Sequence, residues 1–219
     1  MGNLFNLDNG FFSFMGKVWD IIVLNLIWLI CCLPIVTIGP ATSALYYAMV
    51  KVIRRERGYA IKEYFHSFKD NLKVGTLSTL VFLVLAWILY VDYNYAQALM
   101  KDGSKMGTIL ISAFNGISII AAGILAMIFP VLSRFTLGVR GLFKTTFLMA
   151  FKHIFTTIGV IVIIAVCGLA LYIVIPAILF VPAVCCLICS FLIEKVFKKY
   201  MPEPEGTPEE TGKDQWYLE

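Results

Sequence analysis

Charged residues are scarce in this chain. Of its 219 residues only 15% are Asp, Glu, Lys or Arg and 60% are hydrophobic, whereas soluble domains average roughly 25% charged residues. Apolar runs of about 20 residues, the length that crosses a bilayer, recur along most of the chain. The composition excludes a soluble single-core protein, a disordered chain and a nucleic-acid-binding domain. It predicts an all-α, polytopic transmembrane bundle whose main partner is the lipid bilayer.

The residue patterns of catalysis are also missing. The sequence has no nucleophile elbow, no zinc-protease pair and no paired carboxylates at membrane depth. Residues 138–145 superficially resemble a phosphate loop, but the glycine that should precede the lysine is absent. We therefore predict that the protein is not an enzyme and that it carries neither cofactor nor metal.

None of the six cysteines falls in a loop predicted to lie outside, which excludes an extracellular disulfide framework. Cys186 and Cys189 have the spacing of a metal or redox pair, but no second pair or histidine set completes a zinc site. Their position inside an apolar span favours a packing role. Two polar residues at membrane depth, Asn25 and Asn115, are predicted to form hydrogen bonds between helices rather than to bind a ligand.

The apolar runs predict five clear spans at residues 18–38, 75–91, 108–129, 154–175 and 177–193. Residues 41–53 form a shorter run, which at about 1.5 Å per residue reaches only about 20 Å. It can cross the membrane if its helix begins near Pro40 and extends through Arg55. Crossing gives six spans with both termini on one side, and this topology is favoured. A re-entrant segment gives five spans with the amino end outside.

Lysine and arginine near the ends of spans are retained on the cytoplasmic side of a membrane. They concentrate in residues 51–73, 134–152 and 195–213, whereas loop 92–107 has two lysines balanced by two aspartates. We therefore predict a multi-pass protein of the cell membrane with both termini in the cytoplasm. The net charge of +4 follows this topology, and the basic connections suit anionic lipid headgroups or a protein partner.

A weak internal repeat accompanies this topology. A shift of 83 positions aligns Arg57-Gly58 with Arg140-Gly141 and Phe68-Lys69 with Phe151-Lys152, without gaps. The match is short enough to arise by chance. In both copies, however, an inward-going span precedes a basic turn, a short amphipathic segment and an outward-going span. This order predicts a parallel repeat of the kind found in some transporters.

The amphipathic segment of the first copy has apolar residues at the i, i+3, i+4 and i+7 positions of a helix, from Ile61 to Phe68. It is predicted to lie on the inner membrane surface. The simpler interpretation is a helix that joins two spans with its apolar face among the headgroups. The alternative is a docking surface for a partner, formed by Tyr64, Phe65, Phe68 and Lys69.

The densest unusual chemistry lies in residues 33–47, where two prolines interrupt the backbone at membrane depth. Hydroxyl side chains can satisfy the carbonyl and amide groups that the prolines leave unpaired. The favoured interpretation is a tight hairpin between two spans. The alternative is a broken-helix binding site, as in transporters. Its candidate binding residues are Pro34, Thr37, Gly39, Pro40, Thr42, Ser43, Tyr46 and Tyr47.

The composition changes abruptly near Tyr200. Residues 1–199 form the predicted transmembrane domain, and residues 200–219 are rich in proline and glutamate, which predicts a disordered cytoplasmic tail. The tail ends in two aromatic residues and a leucine between acids. Such a segment, centred on Trp216, could dock on a partner, and a membrane sensor that signals through this tail is a third hypothesis.

Residues 33–51, the basic turn and residues 64–73 (Tyr-Phe-His-Ser-Phe-Lys-Asp-Asn-Leu-Lys) resemble the YesL-like family of bacterial integral membrane proteins. This family occurs mainly in Gram-positive organisms and has the label of a domain of unknown function. The resemblance implies location and architecture but transfers no catalytic or binding residue. Family members are often encoded beside ATP-driven carbohydrate importers, which implies a role in sugar uptake.

The resemblance and the absence of transport chemistry together favour a non-enzymatic accessory subunit of a carbohydrate importer. The chain lacks the Glu-Ala-Ala loop by which the permeases of such importers engage their ATPases, so it is not predicted to be the permease. The rival hypothesis is a small stand-alone transporter or channel with residues 34–47 lining its path. The substrate and the oligomeric state are not predicted.

Overall fold

The computed structural model describes residues 10–101 and 105–201, which contain seven α-helices and no strand. The helices are α1 (Gly10–Cys31), α2 (Ile38–Ala48), α3 (Ala60–Lys101), α4 (Lys105–Arg134), α5 (Val139–Lys152), α6 (Ile154–Ile173) and α7 (Val181–Phe197). A 3-10 turn, Ile35–Thr37, precedes α2, and a π-helical segment, Met49–Arg54, continues it. A second 3-10 turn, Ile175–Leu179, precedes α7. The predicted all-α bundle is confirmed, and the predicted tail beyond Met201 lies outside the described residues.

Five helical stretches in the described residues are long and apolar enough to cross a membrane. They are Phe14–Cys31, Ile35–Arg54, Ala60–Lys101, Lys105–Arg134 and Ile154–Ile173. The predicted last span, residues 177–193, corresponds to α7, whose 17 residues reach about 25 Å. The preceding 3-10 turn lengthens this apolar path. The protein is thus a membrane protein.

The first span ends earlier than predicted. It was predicted to extend to residue 38, but α1 ends at Cys31. Pro34 explains the difference, because proline has no backbone N–H to continue a helix and restricts the residue before it. The chain turns at this point, and the helical path then resumes at Ile35 and continues through Arg54. The short apolar run at residues 41–53 is therefore extended at its amino end as the crossing topology requires.

The first two spans form an antiparallel hairpin. Lys17 near the start of α1 is ion-paired with Glu56, just after the π-helical segment. Further along α1, the indole Nε1 of Trp28 donates a hydrogen bond to Thr42 Oγ1 over 3.2 Å. The 20 residues of Ile35–Arg54 reach about 30 Å, the thickness of a bilayer core. A helix of this length, returning beside α1, has the geometry of a span rather than of a re-entrant segment.

The prediction of a separate amphipathic helix before the third span is wrong. Residues 60–70 are the first turns of α3, a continuous helix of 42 residues that is about 63 Å long. No proline interrupts this stretch, so its backbone hydrogen bonds continue into the span. In the second copy the chain does break, because His153 adopts φ −116° and ψ 50° between α5 and α6.

The 83-residue shift relates the elements of the two copies, although their contacts differ in detail. It aligns the α2 span, Ile35–Arg54, with α4, and it aligns α3 with α5 and α6. In the first copy α2 packs against α3, and in the second α4 packs against α6. Pro40, which packs on Gly75, corresponds to Gly123. A Cβ added at Gly123 would lie 3.2 Å from Thr157 Cγ2. Both copies therefore bring their two spans close together at corresponding depths.

Candidate functional site

A buried charge cluster joins three helices. Arg134, the last residue of α4, forms an ion pair with Glu194 of α7, with 2.8 Å between Nη2 and Oε2. Its Nε donates a second hydrogen bond to Glu194 Oε1 over 2.9 Å. The hydroxyl of Tyr46 on α2 donates to the same oxygen over 3.0 Å. We call Tyr46, Arg134 and Glu194 the charge cluster.

The sequence did not reveal this cluster. Glu194 directly follows the last predicted span, residues 177–193, and an acid at the edge of a span is expected to reach water, but its side chain and that of Arg134 are each only 2% exposed. Burying two ions costs several kcal/mol each unless they pair closely with further hydrogen bonds, and Tyr46 supplies one such bond. Ionisable residues buried in membrane proteins are functional candidates by default. The sequence signal for this cluster was Glu194 itself, an acid at the end of the last apolar run.

A cavity of about 480 Å³ lies beside α2. Its walls come from α2, α3, α4, α6 and α7, and they are almost wholly apolar. Tyr46 links it to the charge cluster, while Thr42 and Thr79 are the other hydroxyl side chains in its wall. Three cysteines of α7, namely Cys185, Cys186 and Cys189, line one side. The volume falls in the range of small-molecule pockets, roughly 300–1,000 Å³.

The interrupted segment, residues 33–47, is held in place by hydroxyl side chains, one of its own and one on α3. Thr37 Oγ1 lies 2.6 Å from the carbonyl oxygen of Cys31 and 2.7 Å from that of Pro34, as donor to both. The backbone N–H of Gly39 donates to Thr79 Oγ1 on α3 over 3.0 Å. These bonds satisfy backbone groups that the break leaves free. This is the arrangement that the hairpin interpretation requires.

The predicted binding residues do not converge on one polar site. Pro34 is exposed, whereas Gly39, Pro40 and Ser43 are buried. Only Thr42 and Tyr46 of the predicted set line the cavity. Tyr47 lies further along the same helix, where it accepts a hydrogen bond from Lys51 Nζ over 3.4 Å.

The π-helical segment places two cations at the end of the α2 span. Lys51 is ion-paired with Glu63 of α3, with 2.9 Å between Nζ and Oε2. Arg54 Nη1 donates to the carbonyl oxygen of Ser190 on α7 over 3.0 Å, and its guanidinium lies 4.5 Å from the ring centre of Phe191. Single π turns are rare and occur frequently at functional sites. Here the segment ties α2 to both α3 and α7.

A surface patch lies at the start of α3. Exposed apolar and aromatic side chains alternate there with cations around a shallow groove. Tyr59, Ile61 and Phe65 are 80%, 51% and 40% exposed. We call this surface the α3 patch; it consists of Tyr59, Ile61, Lys62, Phe65, His66 and Lys69.

The α3 patch differs from the interface predicted from the sequence. Phe65 and Lys69 are exposed as that interface needs, but Tyr64 is fully buried and Phe68 is half-buried against the same core. The rings of Tyr64 and Phe68 stack with 6.2 Å between their centres. Because Tyr64 and Phe68 face the bundle, they support the surface rather than form it. Trp216 lies outside the described residues.

Asn25 forms the interhelical contact predicted for it. From α1, its Nδ2 donates to the carbonyl oxygen of Ile178 over 2.7 Å, and its Oδ1 accepts from the N–H of Ala183 over 3.1 Å. Both backbone groups belong to the turn at which α7 begins, where helical bonding is incomplete. Asn115 is exposed on the surface of α4.

The break at His153 is a polar junction near the carboxyl end of α7. His153 Nε2 lies 3.1 Å from the Tyr200 hydroxyl, and Lys152 Nζ lies 5.3 Å from the centre of the Tyr200 ring. Partial burial and the ammonium groups of Lys199 and Lys152 lower the pKa of His153. Across residues 10–101 and 105–201, His, Cys, Asp and Glu form no group of three or more that could hold a metal ion.

The chain is similar in sequence to one protein family and to one further protein. Residues 21–93 match the family described as "Protein of unknown function, DUF624". The chain is also 24% identical over 152 residues to the uncharacterized protein YesL of Bacillus subtilis (strain 168), which covers 68% of this chain and 70% of that protein. No solved structure matches the chain. The family match includes the second half of α1, the stitched hairpin, the π-helical segment and the α3 patch.

Proposed function

From the DUF624 match of residues 21–93 and the similarity to YesL, we propose that this protein is a non-enzymatic accessory subunit of an ATP-driven carbohydrate importer. In this proposal it resides in the cell membrane with both termini in the cytoplasm. It associates with the importer through its cytoplasmic face. The single observation that carries the proposal is the α3 patch.

The orientation follows from where the cations lie. Lys17, Arg54, Arg134 and Lys199 are brought to one end of the bundle by the contacts described above. We call it the basic end. Lysine and arginine near span ends are retained on the cytoplasmic side. The basic end therefore faces the cytoplasm, and the α3 patch lies there.

The α3 patch has the composition of a binding surface. Aromatic residues are enriched at protein interfaces, and a cluster of exposed apolar side chains rimmed by polar residues marks an interaction site. Tyr59, Ile61 and Phe65 supply the apolar area, and Lys62 and Lys69 supply the rim. Because α3 is continuous from the patch into the membrane, the surface is presented on a rigid element.

The choice of partner rests on the resemblance to the YesL-like family, whose members are often encoded beside carbohydrate importers. A small membrane subunit without an ATPase-binding loop suits an accessory position in such an assembly. The positive charge of the α3 patch also complements acidic surfaces on cytoplasmic or membrane partners.

The rival hypothesis, a stand-alone transporter or channel, has less support. A transport path needs polar side chains that face water. The cavity is apolar, and neither Thr37, Ser43 nor Tyr47 lines it. The hydroxyls of Thr37 and Tyr46 are bound to groups within the protein.

The test is co-purification. The full chain is expressed with an importer encoded beside it, solubilised in mild detergent and purified, and importer subunits are quantified by mass spectrometry. We expect them in fixed ratio with the wild-type chain. The Phe65→Glu variant should lose most of them, because a carboxylate replaces an exposed ring at the centre of the α3 patch.

The repeat supplies a matched control. Leu148 occupies the position 83 residues after Phe65 and is 57% exposed on α5. The Leu148→Glu variant introduces the same charge outside the α3 patch and should retain the importer. A wild-type chain that consistently purifies without importer subunits would overturn the proposal. Equal loss of importer subunits from both variants would show that the α3 patch is not the interface with the importer.

A further inference from the structure

The cavity beside α2 opens sideways toward the surroundings of the bundle. Leu83 on α3, Leu125 on α4 and Ile164 on α6 line it. They are nevertheless 40%, 41% and 43% exposed. The opening therefore lies among these three helices rather than at an end of the bundle.

The depth of the opening excludes most occupants. On α3 the lining residues run from Thr79 to Ala86, and both lie well inside the predicted span of residues 75–91. Water needs 2–4 polar partners in a cavity, and the hydroxyl groups of Thr42, Tyr46 and Thr79 in its wall all form hydrogen bonds within the protein. Only a molecule delivered from the hydrocarbon phase reaches this opening.

The size of the cavity selects among apolar occupants. An α-helix with its side chains is about 10–12 Å in diameter, so 480 Å³ holds only about one turn of it. The cavity is thus too small for a crossing helix of a partner protein or of a second copy. A flexible hydrocarbon chain is narrow enough to enter between the three helices and fill the space.

We propose that the cavity is a binding site for one acyl chain of a bilayer phospholipid, which enters laterally between α3, α4 and α6. The chain packs against Phe82, Ala126 and the cysteine-lined face of α7. It ends near the ring of Tyr46, whose hydroxyl is held by Glu194. This inference does not depend on the importer proposed above.

The first experiment maps the occupant directly. The full-length protein is reconstituted alone into phosphatidylglycerol vesicles that contain a phospholipid with a photoactivatable diazirine in the middle of its acyl chain. After illumination, labelled peptides are identified by mass spectrometry. We expect labelling on the cavity-lining parts of α3, α4 and α7, including side chains such as Cys189 that are buried from the outer surface.

Two variants separate the cavity from the general lipid surface. Ala126→Phe fills the cavity and should lose most of the internal labelling, while labelling of the outer face of α6 is unchanged. Ala165→Phe adds the same ring at an exposed position of α6 that does not line the cavity, and it should leave internal labelling intact. If Ala126→Phe does not fold, Ala86→Leu serves instead, because Ala86 lies in the exposed part of the lining.

Two results would overturn the proposal. One is internal labelling that is absent in the wild-type protein or is unaffected by the filling variants. The other is modification of Cys185 and Cys189 in folded protein by a charged, water-soluble thiol reagent, because it would show that water fills the cavity. Protection of these thiols from that reagent, together with internal lipid labelling, supports the proposal.

Discussion

The α2 span is less apolar than α6 but more deeply buried. This is opposite to the pattern of soluble proteins. Residues 35–54 are the least apolar of the five candidate spans, yet 61% of their most apolar 18-residue stretch is buried. The most apolar span is α6, and only 11% of its corresponding stretch is buried. Lipid tails are as apolar as leucine, so hydrophobicity does not drive a helix into the bundle. Polar contacts and close packing decide which helix is central.

The contacts of the two helices explain the difference. The α2 span donates or accepts hydrogen bonds with α1, α3 and α7 through Thr42, Gly39 and Tyr46. On α6 the hydroxyl of Thr157 donates to carbonyl oxygens close to it in sequence, those of Ala150 in the last turn of α5 and of His153 at the break before α6. The difference teaches that the stability of this bundle is concentrated around α2.

The strongest test of this comparison removes one member of the charge cluster. Glu194→Leu leaves the guanidinium of Arg134 buried without its carboxylate, which costs about 3–5 kcal/mol. We expect a large decrease in the thermal unfolding midpoint in mild detergent, and a smaller decrease in the double variant Glu194→Leu/Arg134→Leu. Tyr172→Leu, at a position of α6 that is 86% exposed, should have little effect. A double variant no more stable than the single one would argue against a buried ion pair.

The second test compares two glycines. A Cβ added at Gly39 would lie 2.1 Å from Thr79 Oγ1 and 2.7 Å from the carbonyl oxygen of Gly75, whereas at Gly168 of α6 nothing lies within 4 Å. Forcing α2 and α3 apart costs about 1–3 kcal/mol. Gly39→Ala should therefore lower the unfolding midpoint, and Gly168→Ala should leave it unchanged or raise it slightly. Equal midpoints for the two variants would show that close packing at α2 does not limit stability.

The third test concerns an outer helix that is held by a polar contact. Asn25→Leu removes two hydrogen bonds from α1 to the start of α7. Interhelical hydrogen bonds in membranes average about 0.6 kcal/mol each, so we expect a loss of about 1 kcal/mol. Asn115→Leu, at an exposed position, is the control. Denaturation of both variants in mixed micelles checks the expectation, and a loss confined to Asn115→Leu would contradict it.

The smallest effect is expected from pH. The pKa of folded His153 is lowered, so the unfolded chain, with a histidine pKa of about 6.5, binds this proton more readily. Stability should therefore fall as pH decreases from about 6.5 toward the folded pKa. His153→Gln should reduce the decrease in unfolding midpoint between neutral and mildly acidic pH. An unchanged pH dependence would show that other groups cause it.

The sequence predicted the fold well because the length and spacing of apolar runs are direct signals of membrane spans. It also predicted the stitched hairpin, since Pro34 and Pro40 share one short segment with Thr37, Thr42 and Ser43. The boundary at Cys31 and the continuity of α3 were missed, because they depend on local backbone bonding rather than on hydropathy.

The charge cluster and the cavity could not be predicted, for a physical reason. Tyr46, Arg134 and Glu194 are far apart in the chain. A tyrosine within a span is ordinary, and so is a charged residue at the end of one. Only the packing of α2 against α4 and α7 gives them a common environment. Tyr64 shows the same limit, because a helical stripe of apolar residues does not reveal which of its members face the bundle.

The unbroken α3 has a mechanical consequence. At about 63 Å it is roughly twice as long as the bilayer core is thick, so it behaves as a rod that passes through the bundle. A rigid tilt of about 10° around its middle would displace each end by about 5 Å, in opposite directions. Any force applied where Phe65 lies is therefore delivered to the far end near Lys101, on the other side of the membrane. In the second copy, the break at His153 separates α5 from α6, so these two helices do not form a single rod of this kind.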